Sequence, residues 1–333
     1  MHNPLICMTD FGLSLDSVRR APPGYGAARA RGPASQVPPP ARREGLLLCA
    51  RMKYRHTHHA GNFADVHKHV TLLALLAALA RKDKGFLYFE THAGRGVYDL
   101  AESASEAAGG IERLQSAPCA APELRVYLER VAALRRGRGA ARLYPGSPWL
   151  AVSALRAQDQ AVFVELLPEE ARALRRALDA ETGGVRLRIE TGEGFAHWHA
   201  ALPPPQRRAL TLIDPPYEDS RGDFERVRAE LAAALRRFPT GVIAVWYPVK
   251  DARDTQRWLE ALPRELDRPM LAAELRLFPC DSRVALNGSG MLIVNPPYQL
   301  EVRMGEWLAE LHRHLQAAPG VAGSVRWLTR PAA

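Results

Sequence analysis

Leu210-Thr-Leu-Ile-Asp-Pro-Pro-Tyr217 decides how the rest of the chain is read. Leu210 to Ile213 is a short apolar run of strand type, and Pro215, which brings no ladder donor, must end it. Asp214 therefore falls at the carboxyl end of a strand, where open α/β sheets hold their ligands. The two prolines stiffen the backbone behind it. Such a turn suits a planar group that carries an amine. Asp214 can accept one N–H, the carbonyl of Pro215 can accept the other, and Tyr217 can stack on the ring. The stretch also reads as a strand ending in an ordinary Asp-Pro turn, and the tetrapeptide alone leaves both readings open.

Around this stretch strands and helices alternate. Phe86-Leu-Tyr-Phe-Glu-Thr-His-Ala-Gly-Arg-Gly96 predicts a strand and a glycine turn that allows close backbone approach. Ala161-Val-Phe-Val-Glu165 predicts a second strand ending in an acid, and Val185 to Glu190 alternates as a half-buried strand before the Glu193-Gly194 turn. Beyond Asp214, strands are predicted at 240–247, 271–279 and 290–295, with helices at 224–238, 251–262 and 300–318. Residues of about 100–155 break the alternation and read as a helical insertion. More than 200 residues of this rhythm predict an α/β fold with a doubly wound, mainly parallel sheet. All four turns would then project to one edge. Glu165 follows the glycine turn by about 70 residues rather than the usual ~20, which the insertion accounts for.

Composition bounds the rest. The chain has 333 residues, 47% hydrophobic and 24% charged, which is ordinary for a globular protein. Its net charge is +9, and residues 1–51, with seven Arg and three acids, hold +4 of it. A basic balance suits a polyanion but is weak evidence for one. That leader is rich in Pro, Gly, Ala and Arg, has no sustained period, and is expected to be a disordered extension ahead of a domain at 52–330. Met52 is a candidate start. The four cysteines show neither metal spacing nor a disulfide framework and fit a reducing cytosol. The longest apolar run, Val70 to Ala80, is too short to span a bilayer.

Met52 to His69 holds five of the 11 histidines, and Asp65 is placed to cap the helix that follows. His59, His67 and His69 could ligate a metal, but no acid or Cys stands at a ligand spacing, so a polar site lining is the favoured reading and no metal is expected.

These residues together resemble Rossmann-like, class I S-adenosylmethionine-dependent methyltransferases. Asp/Asn-Pro-Pro-aromatic is the motif of those that act on the amine of adenine or cytosine. More closely, residues 52–330 resemble the ribosomal RNA large subunit methyltransferase J family, which methylates adenine N6 in 23S ribosomal RNA. The resemblance rests on Tyr54-Arg-His-x-x-His-Ala-Gly-Asn-x-Ala-Asp-Val-x-Lys-His69, Asp83-Lys-x-Phe-Leu-Tyr88, Thr91-His-Ala-Gly94, Tyr144-Pro-Gly-Ser-Pro148, Asp214-Pro-Pro-Tyr217, Trp246-Tyr-Pro248 and Gly288-Ser-Gly-Met-x-Ile-Val-Asn-Pro-Pro297. It implies S-adenosyl-L-methionine as cofactor, bound by Lys68, His69, His92, Ser147, Glu165, Glu193, Gly194 and Asp214. It makes Asp214, Pro215 and Tyr217 catalytic, and Tyr54 and His56 the walls of the target-base pocket. It also implies a cytoplasmic monomer with no membrane. Glu193-Gly194 departs from the family's Asp-Gly, which puts that contact in doubt.

Asn295-Pro-Pro-Tyr298 competes for the amine-binding role, and its late place in the strand order argues against it. Three readings of other classes stay open: a DNA adenine-N6 methyltransferase with the same site, a non-catalytic RNA-binding protein with a relic site, and a histidine-metal hydrolase.

Overall fold

Strand β1 (Leu87–Glu90) and the strand that carries Leu210, β6 (Ala209–Ile213), are buried along their whole length. Their runs are apolar on both faces because helices cover both. The computed structural model describes residues 59–331 apart from 180–183, 280, 281, 283, 285, 316, 317 and 320. The leader 1–51 and the expected site residues Tyr54 and His56 lie outside the described residues.

Helix α1 (Phe63–Ala80) comes first, and its N-terminus corrects the sequence reading. Asn62, not Asp65, is the cap: its Oδ1 accepts the Asp65 N–H at 2.9 Å, while Asp65 Oδ2 accepts the Gly61 N–H at 3.0 Å. This reciprocal pair satisfies two orphan donors at once and leaves the other Asp65 oxygen for Lys68. At 18 residues α1 is longer than the apolar run suggested and, by length and composition alone, could cross a membrane; 78% of it is buried inside the fold.

Between β1 and β4 (Gln160–Glu165) lie β2 (Val97–Asp99), the helices α2 (Ala104–Ala108), α3 (Ile111–Gln115) and α4 (Pro122–Arg138), β3 (Leu143–Pro145) and α5 (Ser147–Ala154). The segment is therefore not wholly helical: β2 and β3 pair antiparallel, Val97 opposite Pro145, and tie its two ends together. There follow α6 (Pro168–Leu178), β5 (Arg186–Thr191), α7 (Gly194–Ala200), β6, α8 (Ser220–Arg237), β7 (Val242–Val249), α9 (Ala252–Glu265), β8 (Met270–Arg276), β9 (Gly288–Val294), α10 (Leu300–Leu315) and β10 (Ser324–Thr329).

The main sheet runs β10-β8-β9-β7-β6-β1-β4-β5. The five strands from β5 to β7 are mutually parallel. The last three alternate in direction, with β9 antiparallel to both β7 and β8. The sequence did not predict β10, whose alternating side chains are only half covered at the sheet's edge. Successive strand residues serve two cores. Tyr88, Leu210 and Leu212 join the core under α1, α4, α5, α6 and α10, while Phe89, Ala209 and Ile213 join that under α7, α8 and α9.

Gly290 sits directly across from Tyr247 in the β7–β9 pair, and the tyrosine ring covers the gap left by the missing side chain. A Cβ at 290 would fall 2.0 Å from Tyr247 Cε2, on a ring that is 0% exposed. Its hydroxyl also donates to Glu274 at 3.2 Å, so the ring cannot swing away freely. Gly290→Ala is expected to destabilise the fold by about 1–3 kcal/mol through overpacking, read as a lowered midpoint in urea unfolding.

Candidate active site

Because β1, β4, β5 and β6 are parallel, the turns after them meet at one edge of the sheet, and a cavity of about 980 Å³ opens there. Lys68, His69, His92, Ser147, Glu165 and Asp214 all border it, as do Glu193, Gly194, Pro215 and Tyr217. Residues spread over 150 positions of sequence are thus brought to one place. Asn295 is not among them. β9 runs the other way, so its end faces the opposite edge, where the Asn295 side chain donates to the carbonyls of Pro239 and Gly241 at 2.9 and 2.8 Å.

Lys68 is 5% exposed and bridges two acids. Its Nζ lies 2.6 Å from Asp214 Oδ2 and 2.9 Å from Asp65 Oδ1. Burial works to neutralise the amine, but Asp214 and then Asp65 outweigh it, and its pKa is raised well above the ordinary value. The ammonium therefore persists, and it holds one oxygen of Asp214 in place.

Glu165 closes the other end. Its Oε2 accepts the Gly94 N–H and its Oε1 the Leu167 N–H, each at 2.8 Å. The glycine turn reaches it with Gly94 at φ 65°, a left-handed conformation that glycine adopts without strain. Burial pushes the carboxyl's pKa up, against the pull of those two backbone donors. His92 Nδ1 lies 2.8 Å from Thr91 Oγ1, and its ring meets Phe195 edge-on at 5.4 Å. Burial, aided by the charge of Arg226, lowers its pKa to about 3, so it lines the cavity as a neutral ring.

Other expected contacts are already engaged. The Glu193 carboxylate caps α7 through the Ala196 N–H at 2.8 Å and pairs with Arg226 at 2.7 Å. His69 Nδ1 is 2.9 Å from the Tyr144 hydroxyl, which is 2.9 Å from that of Tyr127. The Ser147 hydroxyl donates to Glu90 Oε1 at 2.5 Å. Tyr217 is 1% exposed and donates to the Trp246 carbonyl at 2.8 Å. Its left-handed φ of 48° turns the ring inward onto Phe224 and Trp246, so the free face expected for stacking is covered. His59, His67 and His69 diverge toward Glu106, Ser289 and Tyr144.

Sequence reasoning missed Glu90, Asp65 and Trp246 as site groups. Glu90 could have been found: it is an acid at the end of a strand, the same signal that picked out Glu165 and Asp214. It is 0% exposed, and the Tyr88 hydroxyl donates to its Oε2 at 2.8 Å. Burial raises its pKa to about 8, against the opposing pull of Ser147, Tyr88 and Lys68.

A family model described as "Ribosomal RNA large subunit methyltransferase D, RlmJ" matches residues 83–329. The chain is 38% identical over 281 residues to Ribosomal RNA large subunit methyltransferase J of Escherichia coli (strain K12), across 83% of this chain and 99% of that protein. It is 36% identical over 282 residues to the protein of the same name from Haemophilus influenzae, across 84% and 99%. A crystal structure of a Legionella pneumophila protein matches with a TM-score of 0.71 at 32% identity, over 81% of this chain and 97% of that one.

Glu90 also makes stability depend on pH. Its raised pKa means that the folded chain binds this proton more tightly than the unfolded chain. Its contribution is therefore lost as pH rises from the ordinary carboxylate range to about 8. Glu90→Gln removes that fall. Urea unfolding between pH 5 and 8 should show the variant gaining on the parent with rising pH, by at most ~1.4 kcal/mol per unit; parallel curves would count against the assignment.

Proposed function

The chain belongs to the ribosomal RNA large subunit methyltransferase J family, and on that premise we propose that it methylates N6 of an adenine in 23S ribosomal RNA. It is an S-adenosylmethionine-dependent methyltransferase of ribosomal RNA. The observation that carries the finer reading is Asp214, held at the end of β6 by the buried Lys68 and facing the cavity.

The cavity fits the cofactor. Its volume suits a ligand of that size, and its strand edge runs from Glu165 to Asp214. Glu165, oriented by two backbone donors, is the group for ribose hydroxyls. Gly194 and Phe195 would border its base, with His92 beside them, and Lys68, His69 and Ser147, which line the same cavity, would hold the rest of it. Two carboxylates against the one ammonium of Lys68 leave a formal negative charge, which favours a cation nearby. S-adenosylmethionine, when bound, supplies a methyl group on a positively charged sulfur.

The protein's part is positioning. Direct displacement by an amine requires the nucleophile aligned and its lone pair available. Lys68 holds Asp214 Oδ2, and Oδ1 is the acceptor for one N6 proton. The Pro215 carbonyl takes the second. Hydrogen bonding from N6 to Asp214 raises electron density on nitrogen, and the departing proton passes to that acceptor. Tyr54 and His56 are assigned to the target-base pocket, within a catalytic domain at 52–330. Action as a monomer in the cytoplasm, where a ribosomal RNA substrate is met, belongs to the same proposal.

Asp214→Asn tests this. Transfer to protein-free, unmethylated 23S ribosomal RNA should fall at least ~100-fold, with cofactor affinity by calorimetry close to that of the parent. Lys68 keeps Asp65 as partner, so the variant should fold. Asn295→Ala should keep normal turnover; the reverse pattern, or a preference for DNA in direct competition, would reject the proposal.

A further inference from the structure

Tyr217 is packed inward, and Tyr54 and His56, proposed above for the base pocket, lie outside the described residues; the described residues offer a further ring for the flat face of the target base. The order of strand ends across the cavity is Glu165 on β4, His92 after β1, Asp214 after β6, then β7. The half toward β4 belongs to the cofactor in the reading above. The half toward β7 is left for the base, and β7 presents Trp246 there, a half-buried indole that borders the cavity.

This indole is held from behind. Its Nε1 donates to Ser289 Oγ at 3.0 Å, and Ser289 Oγ lies 3.1 Å from His67 Nδ1. Ser289 on β9 and His67 on α1 are both 0% exposed. An indole nitrogen can only donate, so the Ser289 oxygen accepts from it and has its own proton free for His67. Burial keeps that imidazole neutral, with its pKa lowered to about 3, so Nδ1 can accept. The ring also meets Tyr217 edge-on, with centroids 5.6 Å apart. Two buried polar groups and a tyrosine thus restrain one ring that is partly open to the site.

We infer that Trp246 is the stacking wall for the target adenine, with Ser289 and His67 as positioning residues that fix the plane of its indole. This deepens the function proposed above and rests on it. Stacking needs a flat π face at a set angle, which an aliphatic side chain of similar bulk does not provide.

The test uses the full chain and protein-free 23S ribosomal RNA transcribed in vitro. Trp246→Leu should raise KM for RNA about tenfold or more, while cofactor affinity stays at the parent value. Trp246→Phe should restore KM to within about threefold. Ser289→Ala should raise KM for RNA in the parent but add nothing to Trp246→Leu, the signature of a group acting through the indole. Parent-like KM in Trp246→Leu, or equal loss in the Phe and Leu variants, would overturn the stacking role. Additive loss in the double variant would overturn the positioning role. If Trp246→Leu behaves as the parent while Asp214→Asn is inactive, only this inference falls. No transfer by the parent chain would remove the functional reading and the inference with it.

Discussion

The site depends on a buried ammonium. Lys68 reaches from α1 to the end of β6, between Asp65 and Asp214, with almost no contact with water. A charge in that position is tolerated only when paired, and removing one partner of a buried pair commonly costs about 3–5 kcal/mol. The second partner makes this arrangement robust. Asp65 is itself fixed by the capping pair with Asn62, so the start of α1, the lysine and the site acid form one connected unit. The flanking histidines extend it, His67 to β9 through Ser289 and His69 to the segment before β4 through Tyr144. Helix α1 is therefore both the filling of one core and the frame on which the cavity is built.

Strand direction is the second constraint. Parallel pairing of β4, β1 and β6 brings Glu165, the glycine turn and Asp214 to one edge. Reversal at β9 takes Asn295 to the other, although its local sequence, Asn-Pro-Pro-Tyr, is nearly the same as Asp-Pro-Pro-Tyr. In both motifs the backbone turns into the left-handed region, at Tyr217 and at Asn295. Similar turn chemistry thus serves an open cavity in one place and a structural link to the β6–β7 connection in the other.

Carboxyl groups at this edge also divide by environment. Glu165 faces the cavity with both oxygens aligned by backbone donors. Glu193 is taken up by a helix cap and an arginine. Glu90 lies deeper, bonded to Ser147 and Tyr88, and retains a proton into the neutral range. Their roles differ because burial and donor count differ, and neither is written in the residue type.

Local chemistry was legible in the sequence. Alternating apolar runs, glycine and proline turns and the acids Glu165 and Asp214 at two strand ends located β1, β4, β5 and β6, the parallel sheet and most of the cavity's lining, since periodicity and turn chemistry belong to a few neighbouring residues. Asp65 was misread as the cap because Asn62 three positions earlier offers the same chemistry. Long-range partnership was decided only by the tertiary structure. Lys68 meets Asp214 across 146 positions, and His67 meets Ser289 across 222. The direction of β9 and the inward turn of Tyr217 likewise depend on which strand and which core each segment meets. The chain by itself determined which groups were available for an amine-methylating site; closure of the fold determined which acid is held, which tyrosine is covered and which tryptophan faces the cavity.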